Sequence, residues 1–542
     1  MSRTLGGAFG VRRRRLLLGV CALLAGACAK HVELPPTSPF YGSTLPPYDG
    51  LVRHTMLAPT EDGIDAVRDA SPKDDVVRLL NEGLLLHRAG RYRESNQALQ
   101  RAAAIATDRY TRSLAQEVAS LIVSDNVLDY QASALERSMV HYYGMLNYLA
   151  LGDSESALVE ARRANALLRR YGNDFPGRTF VNDAAVQYVA GMLQWGRREE
   201  NDAIVSLRQA LAGYEEYELR YGVRTPVPVA VDAARVAAAV GLPDVAERTT
   251  AAFLVGREAD AAAPARDPES GDVLLVIENG FIAHKRQQKL FVPILRSERD
   301  AVLAGDAASA VEAAFRVLIR TVVVMNEMGR EGQSAVQAHE DGVVLVSAGL
   351  SAVGVELVTM AWPVYELEAH RATAIRVETA DGSVVEPALV EDLSAIAVRD
   401  FEEQKTSMLL RMIGRTLLRE AAIVQAERAG ERAGGALGSF TARVTARALA
   451  NTAERADTRS WTALPAELLV ARLRLPPGAH ELRVTFQGVR GPESRSVTVE
   501  VEPGAVALRS VSLYGRDRGD RARFSGATRE VVHRVPPRRA RS

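Results

Sequence analysis

The chain reads as an α+β protein: a run of helical hairpins, then a mixed, mainly antiparallel β domain that carries a long amphipathic helix. Three observations predict this. Small residues recur where helices must cross, in three stretches between Leu79 and Leu211. Short β-branched runs stopped by Gly, Pro and Asn turns fill much of 271–515. Within that region the apolar period switches to a helical one over Leu393–Ala426.

At 542 residues the chain exceeds what one core ordinarily serves and predicts two or three domains. Its 67 basic residues balance 67 acidic ones, so no nucleic-acid partner is expected. The two cysteines, Cys21 and Cys28, both lie near the start. Disulfides and cysteine-bound zinc are thereby excluded from the folded part. No HxxxH or HxH pair suggests an imidazole site, and neither metal nor cofactor is expected.

Residues 1–27 read as a lipoprotein signal peptide: Arg12–Arg15, an apolar run Leu16–Leu24, then Ala25-Gly26-Ala27 before Cys28. The apolar run is too short for a spanning helix, which needs about 20 residues. A cysteine after small residues resembles the bacterial lipobox, in which it is diacylated, although Ala25 stands where leucine is commonest. The resemblance makes Cys28 the lipidation site. Ala29, in place of aspartate, implies the inner leaflet of the outer membrane, facing the periplasm. Residues 28–74 read as a proline-rich tether, with Pro35, Pro36, Pro39, Pro46 and Pro47 keeping its first part extended.

The helical domain is expected over 75–260. Tyr142–Leu168 reads as a helix, a turn at Gly152-Asp153 and a returning helix, with Gly144, Ala157, Ala161 and Ala164 at the crossing. Leu79–Ala106 offers Gly83, Gly90, Leu99 and Ala102 in the same order. Gln187–Leu211 offers Gly191, Ala203, Leu207 and Ala210, with Arg198 where the turn glycine should be. This spacing resembles the tetratricopeptide (TPR) pattern. Hairpins that cannot bury both apolar faces stack and form a groove for peptides or proteins. Tyr142, Tyr143, Asn147 and Tyr148 are the candidates for lining it; the same tyrosines equally fit packing between hairpins.

Asp260–Glu269 marks the boundary. Strands are expected at Asp272–Glu278, Lys289–Ile294 (at a sheet edge, because of Pro293), Val343–Val346, Val353–Met360, Ala374–Glu378 and Ser383–Leu389. Asp381-Gly382 suits a type I′ turn. A helix over Leu393–Ala426 follows, then Ala429–Ala450, either a mobile connection or a closely packed helix. Four strands after Trp461 are expected to join the earlier ones in one composite β domain over 271–515, with the helices 393–450 inserted. The basic tail 516–542 is expected to be disordered, as a solvated tail or one that grips anionic polymer.

Four stretches together resemble a family of TPR-containing bacterial envelope lipoproteins: Glu136-Arg137 with Tyr143–Gly152; Glu278-Asn279-Gly280 with Lys285; Trp362-Pro363-Val364-Tyr365; and Glu454 through Trp461 to Leu464-Pro465. The resemblance implies a cell-envelope lipoprotein and, by analogy, a role akin to lipoproteins that assist peptidoglycan synthases or envelope appendages. Read from the residues, Asp457, Thr458 and Arg459 cap the preceding helix, and a buried Trp461 pins the two halves; a binding role for the cluster is the alternative.

No P-loop, dinucleotide fingerprint, EF-hand or intact nucleophile elbow appears, and Ser124-Asp125-Asn126 lacks the partner motifs of a β-lactamase. The expectation is a non-enzymatic scaffold or adaptor for an unidentified envelope protein. A peptidoglycan- or glycan-binding protein is the second reading, and a hydrolase with an unrecognised site the third.

Overall fold

The computed structural model describes residues 45–513 apart from 71–73, 116–128, 179, 263–266, 268, 305–306, 332–354, 368–371, 373, 454 and 489–490. The signal sequence, Cys28, the strand expected at Val343–Val346 and the basic tail lie outside the described residues.

The first half is helical. In order come α1 Pro47–Leu57, α2 Glu61–Asp69, α3 Asp75–Arg88, α4 Tyr92–Ala115, α5 Ala134–Ala150, α6 Ser154–Asp174, α7 Ala184–Gly196, α8 Glu200–Tyr221, α9 Val227–Ala239, α10 Pro243–Phe253 and α11 Glu258–Ala262. Polar side chains start many of them. Asp74, Asp153 and Asp183 each accept an amide of the first turn, and Ser133 with Glu136 forms a capping box.

Helices α3/α4, α5/α6 and α7/α8 pack as pairs through a glycine facing a residue sixteen positions on. A Cβ on Gly83 would lie 2.6 Å from Leu99, one on Gly144 3.2 Å from Glu160 and one on Gly191 2.9 Å from Leu207. Each turn passes through a left-handed residue: Gly90 at φ 74°, Gly152 at 78° and, in the third pair, Arg198 at 67°. The α9/α10 pair repeats the turn at Gly241, φ 79°, without having shown the pattern in sequence.

Two expectations change here. The tether reading of 28–74 meets two helices: α1 buries Val52 and Met56, and α2 buries Ile64 and Val67. Pro47 sits in the first turn of α1, where its missing amide donor costs nothing. The turn at Asp381-Gly382 has only Gly382 left-handed, so it is not type I′.

The second half comprises β1 Gly271–Phe281, β2 His284–Leu295, α12 Arg296–Leu303, α13 Ala307–Glu331, β3 Val355–Glu366, β4 Ala374–Glu378, β5 Val384–Val385, β6 Ala388–Asp392, α14 Leu393–Ala453, β7 Pro465–Leu475, β8 Gly478–Gly488, β9 Gly491–Val501 and β10 Val506–Leu513. The first sheet has the order β10-β1-β7-β6 and the second β5-β4-β8-β9. Among the described residues only β1 and β10 run parallel. The four strands after Trp461 therefore divide between two sheets, β7 and β10 in one, β8 and β9 in the other. Helix α14 breaks at Gly434 and Gly435, and Gly430 meets the Gly438 backbone across the bend.

Every residue of β1 is buried, and its alternation explains why. Leu274 and Val276 join the core of the helices, with Val390, Leu393, Trp461, Leu468 and Val470. Val273, Leu275 and Ile277 point the other way, against Leu482, Val484, Phe486 and Val499 of the second sheet. The first sheet is thus the middle of three layers. Strands β2 and β3 form a separate ribbon, paired over His284–Leu295 and Val355–Glu366, with its own cluster against α13 and α14. In a ribbon of two, Pro293 sits at an edge, as its missing donor requires.

Candidate functional site

The stretches that carried the family resemblance converge where helices meet strands. Asp74, the N-cap of α3, accepts from the amides of Val76 and Tyr130, both at 3.0 Å, and from Arg109 Nη1 at 2.9 Å. Arg459 donates to Asp74 at 3.1 Å, grips both oxygens of Asp457 at 2.8 Å, and lies 5.5 Å from the Tyr130 ring centroid. Burial opposes ionisation of Asp74, but the Tyr130 amide and the two guanidiniums outweigh it and lower its pKa.

One turn along, Glu136 accepts from the Tyr130 hydroxyl at 2.6 Å, the Ser133 amide at 2.8 Å and the Trp461 amide at 2.7 Å. The Trp461 indole is buried beside Tyr143 at 6.0 Å between centroids. Lys285 reaches the Arg459 carbonyl at 3.5 Å and lies 5.7 Å from the Tyr365 ring centroid. Burial pulls its pKa down, yet Tyr365, Asp457, Glu136 and Asp400 outweigh burial and raise it. Burial also raises the Asp400 carboxyl to about 6.

This cluster works as a clamp. Its carboxylates and cations satisfy one another across the junction, and the Trp461 indole is buried within it. Arg459, read in sequence as part of a helix cap, crosses to the cap of α3, while Thr458 is half-buried beside it. Further ties sequence reasoning missed lie between residues hundreds of positions apart. Arg53 donates to the carbonyls of Thr462 and Ile282 at 2.9 and 2.7 Å, and Arg472 to Asp232 at 2.6 Å. Tyr217 donates to Glu391 at 3.2 Å.

The residues read as groove-lining fare differently. Tyr142, Tyr143 and Asn147 are buried, and Tyr148 is half-buried. Asn147 Oδ1 lies 2.6 Å from His87, and its Nδ2 donates to Ser95 and Asn96. These side chains pack the array: Tyr143 lies against His87 and Trp461, and Asn147 and Tyr148 against Ser95, Asn96 and Gln100 of α4.

Two features stay open. A groove of about 470 Å³ lies between α4, α5 and α6, lined by Leu99, Ala103, Ala106, Val140 and Leu167, with Arg137 among them. On the far side, α13 buries Ala313, Val317 and Thr321 and exposes Val311, Phe315, Ile319, Val322 and Val323, with Phe315 59% exposed. Among the described residues no cluster of three His, Cys, Asp or Glu side chains could hold a metal ion, and no helix is long and apolar enough to cross a membrane.

No family model and no curated protein matches the chain. Among solved structures it is similar to the crystal structure of BtubC (BKLC) from P. vanneervenii, at 15% identity over 40% of this chain and 81% of that one, with a TM-score of 0.27. So loose a superposition says nothing about activity.

Proposed function

We propose that the protein is a non-enzymatic envelope lipoprotein, a scaffold that holds a partner protein while Cys28 anchors it to lipid at the periplasmic face of the outer membrane. Its helix pairs are, in this reading, TPR-like repeats. The recurring sixteen-residue contact and the left-handed turns support that reading. Because His87, Asn96 and Trp461 of the chain itself cover the tyrosine-bearing face of α5, the partner surface moves elsewhere.

The observation that carries the proposal is the stripe Val311, Phe315, Ile319 and Val323 on α13. Contiguous apolar surface of this kind, edged by an ion pair such as Glu312–Arg316, has the anatomy of a protein interface: an apolar centre and a polar rim. A partner with its own apolar helix or sheet face would cover it.

A photo-cross-linking residue at position 315, in intact cells, tests this. The expected result is a cross-link to one protein, identified by mass spectrometry and lost on Ile319→Asp. Cross-links to lipid alone, or none, would overturn the scaffold reading. In the same cells Cys28→Ser should release the chain from membranes; unchanged fractionation would remove the anchor from the account.

A further inference from the structure

Arg137 lines the groove between α4, α5 and α6 yet is only 9% exposed. Its Nη2 donates to Thr107 Oγ1 at 3.3 Å, and its guanidinium lies 4.8 Å from the Tyr110 ring centroid. No carboxylate pairs with it among the described residues. Burial pulls its pKa down, and nearby Arg170 adds a second positive field. A buried cation without a counter-charge is costly to hold.

The neighbouring acids are engaged. Glu160 takes His141 Nδ1 at 2.7 Å and Arg163 Nη1 at 2.6 Å, while Glu136 is turned to Tyr130, Ser133 and Trp461. Asn96 is held by Asn147, and Gln100 donates to Tyr148. The rest of the wall is aliphatic. An extended peptide laid here would bury amides and carbonyls with few partners, each a penalty. A hydrocarbon chain carrying one anionic end makes no such demand.

We propose that this groove binds an aliphatic monocarboxylate, its carboxylate on the Arg137 guanidinium and its chain along Leu99, Ala103, Ala106, Val140 and Leu167. The volume falls within the range of small-molecule sites, roughly 300–1,000 Å³. The bound carboxylate supplies the missing counter-charge, and the chain replaces water on the apolar wall. This site is independent of the α13 surface, so either can fail without the other.

Titration calorimetry of decanoate and decan-1-ol into the full chain carrying Cys28→Ser tests it. Decanoate is expected to bind once per chain and at least about tenfold tighter than the alcohol. Arg137→Met should erase that preference without lowering the melting temperature, since an uncompensated buried charge is removed. Ala103→Phe, which fills the chain site and leaves Arg137 in place, should weaken both ligands. Should Arg137→Met not fold, Ala103→Phe and the comparison with the alcohol decide alone. Decanoate bound no tighter than decanol, undiminished binding to Ala103→Phe, or a peptide that binds through its terminal carboxylate where decanoate does not, would each overturn the proposal.

Discussion

Helices meet strands in two places, and they close to different degrees. From α1 to α9 the helices share one apolar core with β1, β6 and β7, sealed by Trp461, Arg53, Asp232 and Glu391. At the ribbon, α13 covers β2 with one face and leaves Phe315 and its neighbours to solvent. The first junction holds the chain together. The second leaves apolar surface exposed. The polar ties at the first junction make it demanding of geometry, because a buried charge that loses its partner costs several kcal/mol.

The largest expected effect falls on the closed junction. Trp461→Ala empties a fully buried site beside Tyr143, and should destabilise the chain by about 3–5 kcal/mol in urea unfolding. A loss under about 1 kcal/mol would mean that the two halves are not held by this indole. Phe315→Ala, by contrast, should change stability by no more than about 0.5 kcal/mol.

Asp49 gives the closed junction a pH dependence. Burial raises its pKa from 3.8 to about 7, with Arg53 and the Thr462 hydroxyl pulling the other way. A raised carboxyl leaves the folded chain holding a proton that the unfolded chain has released. Asp49 thus favours folding below about pH 4, and this contribution is lost as pH rises towards 7, at up to about 1.4 kcal/mol per unit. Asp400, raised to about 6, acts in the same direction. His284, whose pKa burial lowers to about 3, acts the other way over about pH 3–6.5 in wild type and variant alike. Between pH 4 and 7 the urea midpoint of the wild type should therefore fall more, or rise less, than that of Asp49→Asn, and identical slopes would contradict the burial of Asp49.

The smallest effect sharpens the repeat reading. Arg198 occupies the left-handed turn that glycine takes in the other pairs. Arg198→Gly should stabilise by about 1 kcal/mol, read as a higher melting temperature. Destabilisation instead would mean that the arginine side chain carries the turn.

The hairpins were legible because close helix crossing restricts residue type: Gly83, Gly144 and Gly191 face a partner sixteen positions on, and a Cβ there would clash at Gly83 and Gly191 and crowd Glu160 at Gly144. Strand positions were legible too, from alternation and turn residues. What the sequence hid was which face meets which. Tyr142 and Tyr143 would suit a groove or a core equally, and only the fold, by bringing Trp461 beside them, decides. The clamp was half visible. Asp457, Arg459 and Trp461 stood out, but Asp74, at the cap of a helix far back in the chain, gave no local signal. Helix α1 was hidden for another reason: prolines read as extended chain also suit a helix start.

Native-state hydrogen exchange tests the central claim most directly, that the helical array and the first sheet are one cooperative core. The account predicts that the slowest amides of α5, α7, β1 and β7 exchange with a single common free energy, equal to that of global unfolding, while α13 opens at a lower one. Helices α5 and α7 that exchange at their own lower free energy, with β1 and β7 still protected, would contradict it.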